Sequence, residues 1–224
     1  MKRITVIVAL TALFITAAAQ AGTLNEEILS LQKEWAIINY KSAEDERESA
    51  FEQLATKARV AAERFPNRAE PLVWEGIILS TYAGAKGGLG ALGLIEDARD
   101  RLLEAEEIDP VALDGSIYTS LGSLYYQAPG WPISFGSDKK AKAYLQRALE
   151  INPDGIDPNY FYGDYLIEQW DYKEAIEVLQ HALEAPSRPA RSLADVGRRD
   201  EIRAKIAATE EKIKNNNSGA EALW

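Results

Sequence analysis

A single histidine, His181, and no cysteine stand among 224 residues. The side chains that most often serve as nucleophile, proton shuttle or soft metal ligand are therefore almost absent. Without cysteine there is no disulfide framework, thiolate zinc site or lipid-acceptor thiol. His181 lies between Gln180 and Ala182, off the stripe formed by Leu179 and Ala182, which predicts a solvated ring. Spacing alone gives it no serine or carboxylate partner. Acidic neighbours such as Glu106 and Glu107 have the pattern of a solvated helix face. No catalytic residue, metal or cofactor is expected, and the chain reads as a non-enzyme.

One motif does offer phosphate chemistry. Gly88-x-Gly90-x2-Gly93 has the spacing of a dinucleotide fingerprint, in which glycines let backbone N–H groups approach a pyrophosphate. That fingerprint needs a preceding strand, whereas Pro71 to Leu79 reads as part of a helix. Two readings of the segment 82–94 stay open: a pliable apolar loop that packs on a neighbour, or a turn whose free N–H groups hold an anion at a helix start near Lys86. A second unusual segment, 127–137, contains Pro129, Pro132, Trp131 and Phe135. The prolines restrict it, so both aromatic rings can be held in place at low entropic cost. They either close a core where the segment leaves the fold or anchor a partner. Ser137-Asp138 is placed to cap the helix that follows.

What positions these residues is a repeating pattern of helices. Ala98, Leu102, Ala105 and Pro110 recur at the spacing of Ala141, Leu145, Ala148 and Pro153, and Ala175, Leu179 and Ala182 follow, with Pro186 one residue early. Leu54, Ala58, Ala61 and Pro66 give a weaker first copy. Small, large, small along one helical face lets a neighbouring helix approach closely, and proline then stops the helix. Tyr118-x2-Leu121-Gly122-x2-Tyr125 precedes one copy, and Gly163 and Leu166 fall at matching distances before the next.

These residues resemble the tetratricopeptide repeat, a helix-turn-helix unit of about 34 residues. Gly163 to Ala182 is the best match, and the resemblance extends over roughly Glu26 to Pro186. It implies an all-α, helical-hairpin solenoid of about four units over residues 22–214. The stripe Ile202, Ile206, Thr209, Ile213 predicts a C-terminal capping helix. Residues 215–224 read as a disordered tail. The resemblance also implies a concave groove lined by the first helix of each pair, on which Thr119, Ser123, Tyr126, Gln127, Tyr160, Asp164 and Glu168 match groove-facing positions. The segment carrying Asp157, Tyr160, Tyr162, Asp164 and Tyr165 is acidic and tyrosine-rich, suited to hydrogen bonding or to a basic partner.

The proline spacings depart from that period: 44 residues from Pro66 to Pro110, 43 from Pro110 to Pro153 and 33 from Pro153 to Pro186. The extra residues are expected to enlarge two turns, 82–94 and 127–137, which line up along one edge of a solenoid and should touch or nearly touch. Tyr82, Lys86, Trp131 and Phe135 are the residues expected to meet a partner or ligand there.

Composition and the N-terminus set the compartment. With 35 acidic and 25 basic residues, a formal charge of −10 and 46% hydrophobic residues, the chain is that of a globular protein without the positive footprint a nucleic acid requires. Lys2 and Arg3, the apolar run Ile4 to Ala19 and Ala19-Gln20-Ala21 form a secretory signal-peptide pattern over 1–21, with cleavage near Ala21. The apolar run is shorter than the ~20 residues a spanning helix needs. In a Gram-negative host the destination is the periplasm. Together with the glycine-rich and Pro-Gly turns, this leader resembles the TPR-type T component associated with TRAP transporters, which implies binding to a periplasmic solute-binding protein and the ability to oligomerise. Lipid-anchored members need a cysteine at the cleavage site, and Ala21-Gly22 stands here instead, so no stable membrane anchor is expected after cleavage. The expectation is an adaptor for another periplasmic protein. The alternative is a small-ligand binder using the space between the two enlarged turns.

Overall fold

The computed structural model describes residues 4–221, and side chains from residue 23 to residue 216. The proposed leader, 1–21, and most of the proposed tail therefore have side chains outside the described residues. Nine α-helices and one 3-10 turn account for the described architecture: α1 (Ile4–Lys41), α2 (Glu44–Arg64), α3 (Ala69–Lys86), α4 (Ala91–Ile108), α5 (Ala112–Gln127), α6 (Asp138–Ile151), α7 (Ile156–Glu168), α8 (Tyr172–Glu184), the 3-10 turn Pro189–Arg191 and α9 (Ser192–Glu221). Among the described residues no helix is long and apolar enough to cross a membrane.

The helices form four successive antiparallel hairpins. The first helices of the pairs, α1, α3, α5 and α7, contact one another in order and form an inner layer, while α2, α4, α6 and α8 form the outer one. The recurring Ala-Leu-Ala triad explains the pairing. Ala98, Leu102 and Ala105 of α4, the matching residues Ala141, Leu145 and Ala148 of α6, and Ala175, Leu179 and Ala182 of α8 are all fully buried. Each central leucine fills a notch that a glycine leaves on the facing inner helix. A Cβ on Gly76 would lie 2.7 Å from Leu102 Cγ, one on Gly122 2.6 Å from Leu145 Cγ, and one on Gly163 2.7 Å from Leu179 Cγ. The same contact, made three times, sets the close approach of the helices within the second, third and fourth hairpins.

The expected loop at 82–94 is corrected by the structure. Only Gly87 to Gly90 connect α3 and α4, and each of these helices has 18 residues against 13 in α7 and 13 in α8. The insertion is spent on longer helices. Gly87 and Gly88 have φ of 64° and 57°, a region other residues enter at a cost, so two glycines suffice for the reversal. The second insertion does form a loop, between Gln127 and Asp138. It is pinned by Gly136 N–H donating to Pro129 O at 2.9 Å and Ser137 N–H donating to Tyr125 O at 2.7 Å. Ser137 caps α6 as expected, its hydroxyl accepting from Lys140 N–H at 3.4 Å.

The C-terminal helix does more than cap the last hairpin. α9 packs on α8 and buries Ile202 and Thr209, and it also reaches α7 and α1, so the two ends of the stack meet. The meeting point is tight, since a Cβ on Gly197 would sit 2.4 Å from the Tyr40 ring. Gly197→Ala is accordingly expected to destabilise the protein by about 1–3 kcal/mol, the usual cost of forcing an extra carbon into a packed contact. Hydrogen exchange should rise in α9 and the end of α1 and stay unchanged in α4 and α6; uniform exchange would show that the contact is not a seam.

Candidate functional site

Two surfaces gather the unusual side chains, and the first is the edge where the hairpin turns lie. Leu89 in the α3–α4 turn is 86% exposed, Trp131 in the α5–α6 loop 89%, and Trp170 in the α7–α8 turn 76%. Ile133 beside Trp131 is also exposed. Trp170 was not singled out by sequence, yet it occupies a left-handed backbone position, φ 66°, where glycine or asparagine is favoured over a bulky side chain. A tryptophan in a glycine slot is the signal that could have revealed it. The two aromatics of the 127–137 loop separate cleanly. Phe135 meets Tyr125 edge to face at 5.4 Å and lies under the Arg99 guanidinium of α4 at 4.5 Å, whereas Trp131 points into solvent. Of the two, Phe135 closes the core. The 127–137 loop thus meets α4 at Arg99, beyond the 82–94 segment.

The remaining edge residues are largely engaged within the chain. Tyr82 is buried, and Lys86 lies over its ring and pairs with Glu48 of α2 at 3.0 Å. The ammonium therefore faces the preceding hairpin. Gln127 Nε2 donates to Tyr126 Oη at 3.1 Å, and Tyr126 Oη donates to Asp164 Oδ2 at 2.7 Å. Burial raises the Tyr126 hydroxyl well above its ordinary pKa, and the Asp164 carboxylate beside it adds to the shift. Glu168, at the end of α7, is exposed.

The second surface is the concave face. Thr119 and Ser123 are buried on its floor, with hydroxyls donating to Gly115 O and Ser120 O. The acidic, tyrosine-rich strip of α7 does meet a basic partner, and that partner is the chain's own C-terminal segment. Arg198 Nε donates to Asp157 Oδ1 at 3.0 Å, Arg188 Nη1 to Asp157 Oδ2 at 2.9 Å, and Lys205 pairs with Asp164. The Arg198 guanidinium stacks 4.1 Å from the Tyr160 ring centre. Burial alone would raise the Asp157 carboxyl, but Arg198 and Arg188 together hold it well below the carboxylate range. Charge pairing of this kind, partly desolvated and most fully so at Arg198, fixes where α9 sits.

Between the inner helices and this segment lies a cavity of about 450 Å³. Trp35, Trp74 and Ile77 form part of its wall, and Arg188, Arg191 and Arg198 come from the C-terminal side. His181 lies elsewhere, half exposed, with Nε2 3.2 Å from Asp154 Oδ1 and Nδ1 3.8 Å from Glu184. It thus has the carboxylate neighbours that sequence spacing could not assign.

Comparison with known proteins agrees with this geometry. The family model described as "Tetratricopeptide repeat" matches residues 133–154, which cover the end of the α5–α6 loop and α6 rather than the Gly163 to Ala182 segment that reads best by eye. Among solved structures, a thermophilic TPR protein of Thermus thermophilus superposes with a TM-score of 0.54 at 16% identity, covering 87% of this chain and 95% of that one. MamA aligns with a TM-score of 0.43 at 19% identity over 80% of this chain and 99% of its own, and pilF of Pseudomonas aeruginosa with 0.34 at 17% over 88% and 95%. No curated protein matches the sequence. The architecture is an all-α, tetratricopeptide-type solenoid.

Proposed function

We propose that this solenoid is a periplasmic adaptor, exported by its N-terminal leader, that holds a partner protein along the edge carrying Leu89, Trp131, Ile133 and Trp170. Folds of stacked helical hairpins are protein-interaction scaffolds, and their usual concave surface is here partly filled by α9. The observation that carries the reading is the row of exposed apolar side chains at three successive hairpin turns. A rigid loop presenting a tryptophan costs little entropy on binding, and tryptophan is the residue most enriched at interface hot spots. The resemblance of the leader and turns to the T component makes a solute-binding protein of a TRAP transporter the first partner to seek.

The test is crosslinking of the tagged protein in its native host followed by mass spectrometry, with Trp131→Ala and Trp170→Ala together as the variant. Both side chains are exposed, so stability should stay within about 0.5 kcal/mol. Recovery of the partner should fall at least tenfold, roughly the loss of one hot-spot side chain. A solute-binding protein captured by the intact chain and lost by the variant supports the reading. Equal capture by both proteins removes the edge from it, and recovery of the protein from the cytoplasmic fraction alone removes the compartment.

A further inference from the structure

The concave cavity contains buried hydrogen-bond donors that no group among the described residues satisfies. Arg191 Nε and Trp74 Nε1 are both buried without an acceptor, and both residues line the same space. They are close, with the Arg191 guanidinium 5.2 Å from the Trp74 ring centre. Buried polar groups are overwhelmingly paired, because desolvating one without a partner costs free energy each time. The contrast with neighbouring groups is sharp. Trp35, on the same wall, donates its Nε1 to Thr81 Oγ1 at 3.0 Å.

The carboxylates of the cluster do not relieve Arg191. Asp157 uses one oxygen on Arg188 and the other on Arg198, and Asp195 accepts from Arg188 N–H and Arg188 Nε, both at 2.7 Å. Of the other acids lining the cavity, Asp154 is turned toward His181 and Asp114 lies in the first turn of α5. Arg188 and Arg198 are thus committed to holding the C-terminal segment in place. Arg191, carried between them on the 3-10 turn, is left over. Burial draws its guanidinium below the ordinary pKa; Asp157 opposes that, while the charges of Arg188 and Arg198 add to it. Each of these groups is a donor, so the missing group is an acceptor, and a delocalised anion would meet the planar guanidinium with two hydrogen bonds.

We infer that the cavity is a binding site for a small organic acid, whose carboxylate is taken by Arg191 and Trp74 Nε1 and whose apolar part lies against Trp35, Ile77 and Phe161. The volume suits a small molecule, being at the lower end of the range for ligand pockets. The arginines come from the C-terminal segment and Trp35, Trp74, Ile77 and Phe161 from the inner helices, so an occupant touching both ties α9 down. This site lies on the concave face, away from the space between the enlarged turns.

Calorimetric titration of the full chain with benzoate, benzamide and inorganic phosphate tests it. Benzoate should bind saturably and raise the melting temperature, and benzamide, the same shape without the charge, should bind at least tenfold more weakly. Arg191→Gln should lose at least tenfold in benzoate affinity. Trp74→Phe, which removes one donor and keeps the ring, should lose less. Arg203→Gln, on an exposed cation, should bind like the parent. Should Arg191→Gln fail to fold, Trp74→Phe and the acid-to-amide ratio still decide. Equal binding of acid and amide overturns the inference, as does undiminished binding by Arg191→Gln. Binding of phosphate alone would make the site a simple anion hole, and no benzoate binding up to about 10 mM would remove it.

Discussion

Asp157→Asn should cost about 1.5–3 kcal/mol and loosen the C-terminal helix, because it removes the carboxylate shared by the buried Arg198 and the half-buried Arg188 and leaves each with one acid, Glu201 and Asp195. That is a sizeable part of the 5–15 kcal/mol typical of a folded domain. Asparagine keeps the size of the side chain, so packing changes little and the loss reports on charge. Denaturant unfolding gives the magnitude, and hydrogen exchange shows whether α9 opens ahead of the hairpins. A cost below about 1 kcal/mol would mean that the other contacts of α9, among them the buried Ile202 and the Lys205–Asp164 pair, hold it without Asp157. The pH dependence has a definite sign. Asp157 titrates lower in the folded protein than in the unfolded chain, where its pKa is about 3.9. Its contribution is complete above that value and drains away as pH falls toward the folded pKa. Below about pH 4 the parent should therefore lose stability more steeply than the asparagine variant, and parallel profiles would contradict the assignment.

The notch between Gly122 and Leu145 should give the second large effect. Leu145→Ala empties a fully buried site and is expected to cost about 2–5 kcal/mol. Gly122→Ala brings a carbon to 2.6 Å from Leu145 Cγ and 3.2 Å from Leu145 N, and should cost about 1–3 kcal/mol. The double variant is the informative one. If the two groups compete for one space, the new methyl moves into the room left by the leucine, and the combined cost falls short of the sum by about 1 kcal/mol or more. Strict additivity would mean that the α5 backbone has shifted away from α6 instead. Because Gly76–Leu102 and Gly163–Leu179 repeat the contact, the same cycle in either hairpin should give a coupling of the same sign.

The hairpins were legible because the pattern that makes them is local. Ala98, Leu102 and Ala105 lie within two turns of one helix, and a small-large-small face announces close packing whatever lies opposite. The 82–94 segment misled for an equally physical reason. Its glycines suggest a loop, but a reversal needs only Gly87 and Gly88 in the left-handed region, and the rest is free to be helical. Trp131 and Phe135 are alike in a sequence. Which one enters the core is decided by the bonds from Gly136 to Pro129 and Ser137 to Tyr125, and the pairing across the loop cannot be counted from spacing. The concave site was the least visible. Asp157, Tyr160 and Asp164 read as a strip awaiting an outside partner, because Arg188, Arg198 and Lys205 lie 31 to 41 residues further on. Chemistry was recognisable in the strip, but the distance along the chain hid that its partner belongs to the same molecule.

The contact between α1 and α9 changes how the repeats share their stability. In an open array each unit leans only on its neighbours, and the outermost units fray first. Joining the first helix to the last gives both outer units a second neighbour, and it does so through the contact with the longest sequence separation in the fold. Such a closure forms late, after the chain between its ends is already ordered, and it turns a row of semi-independent units into one cooperative ring.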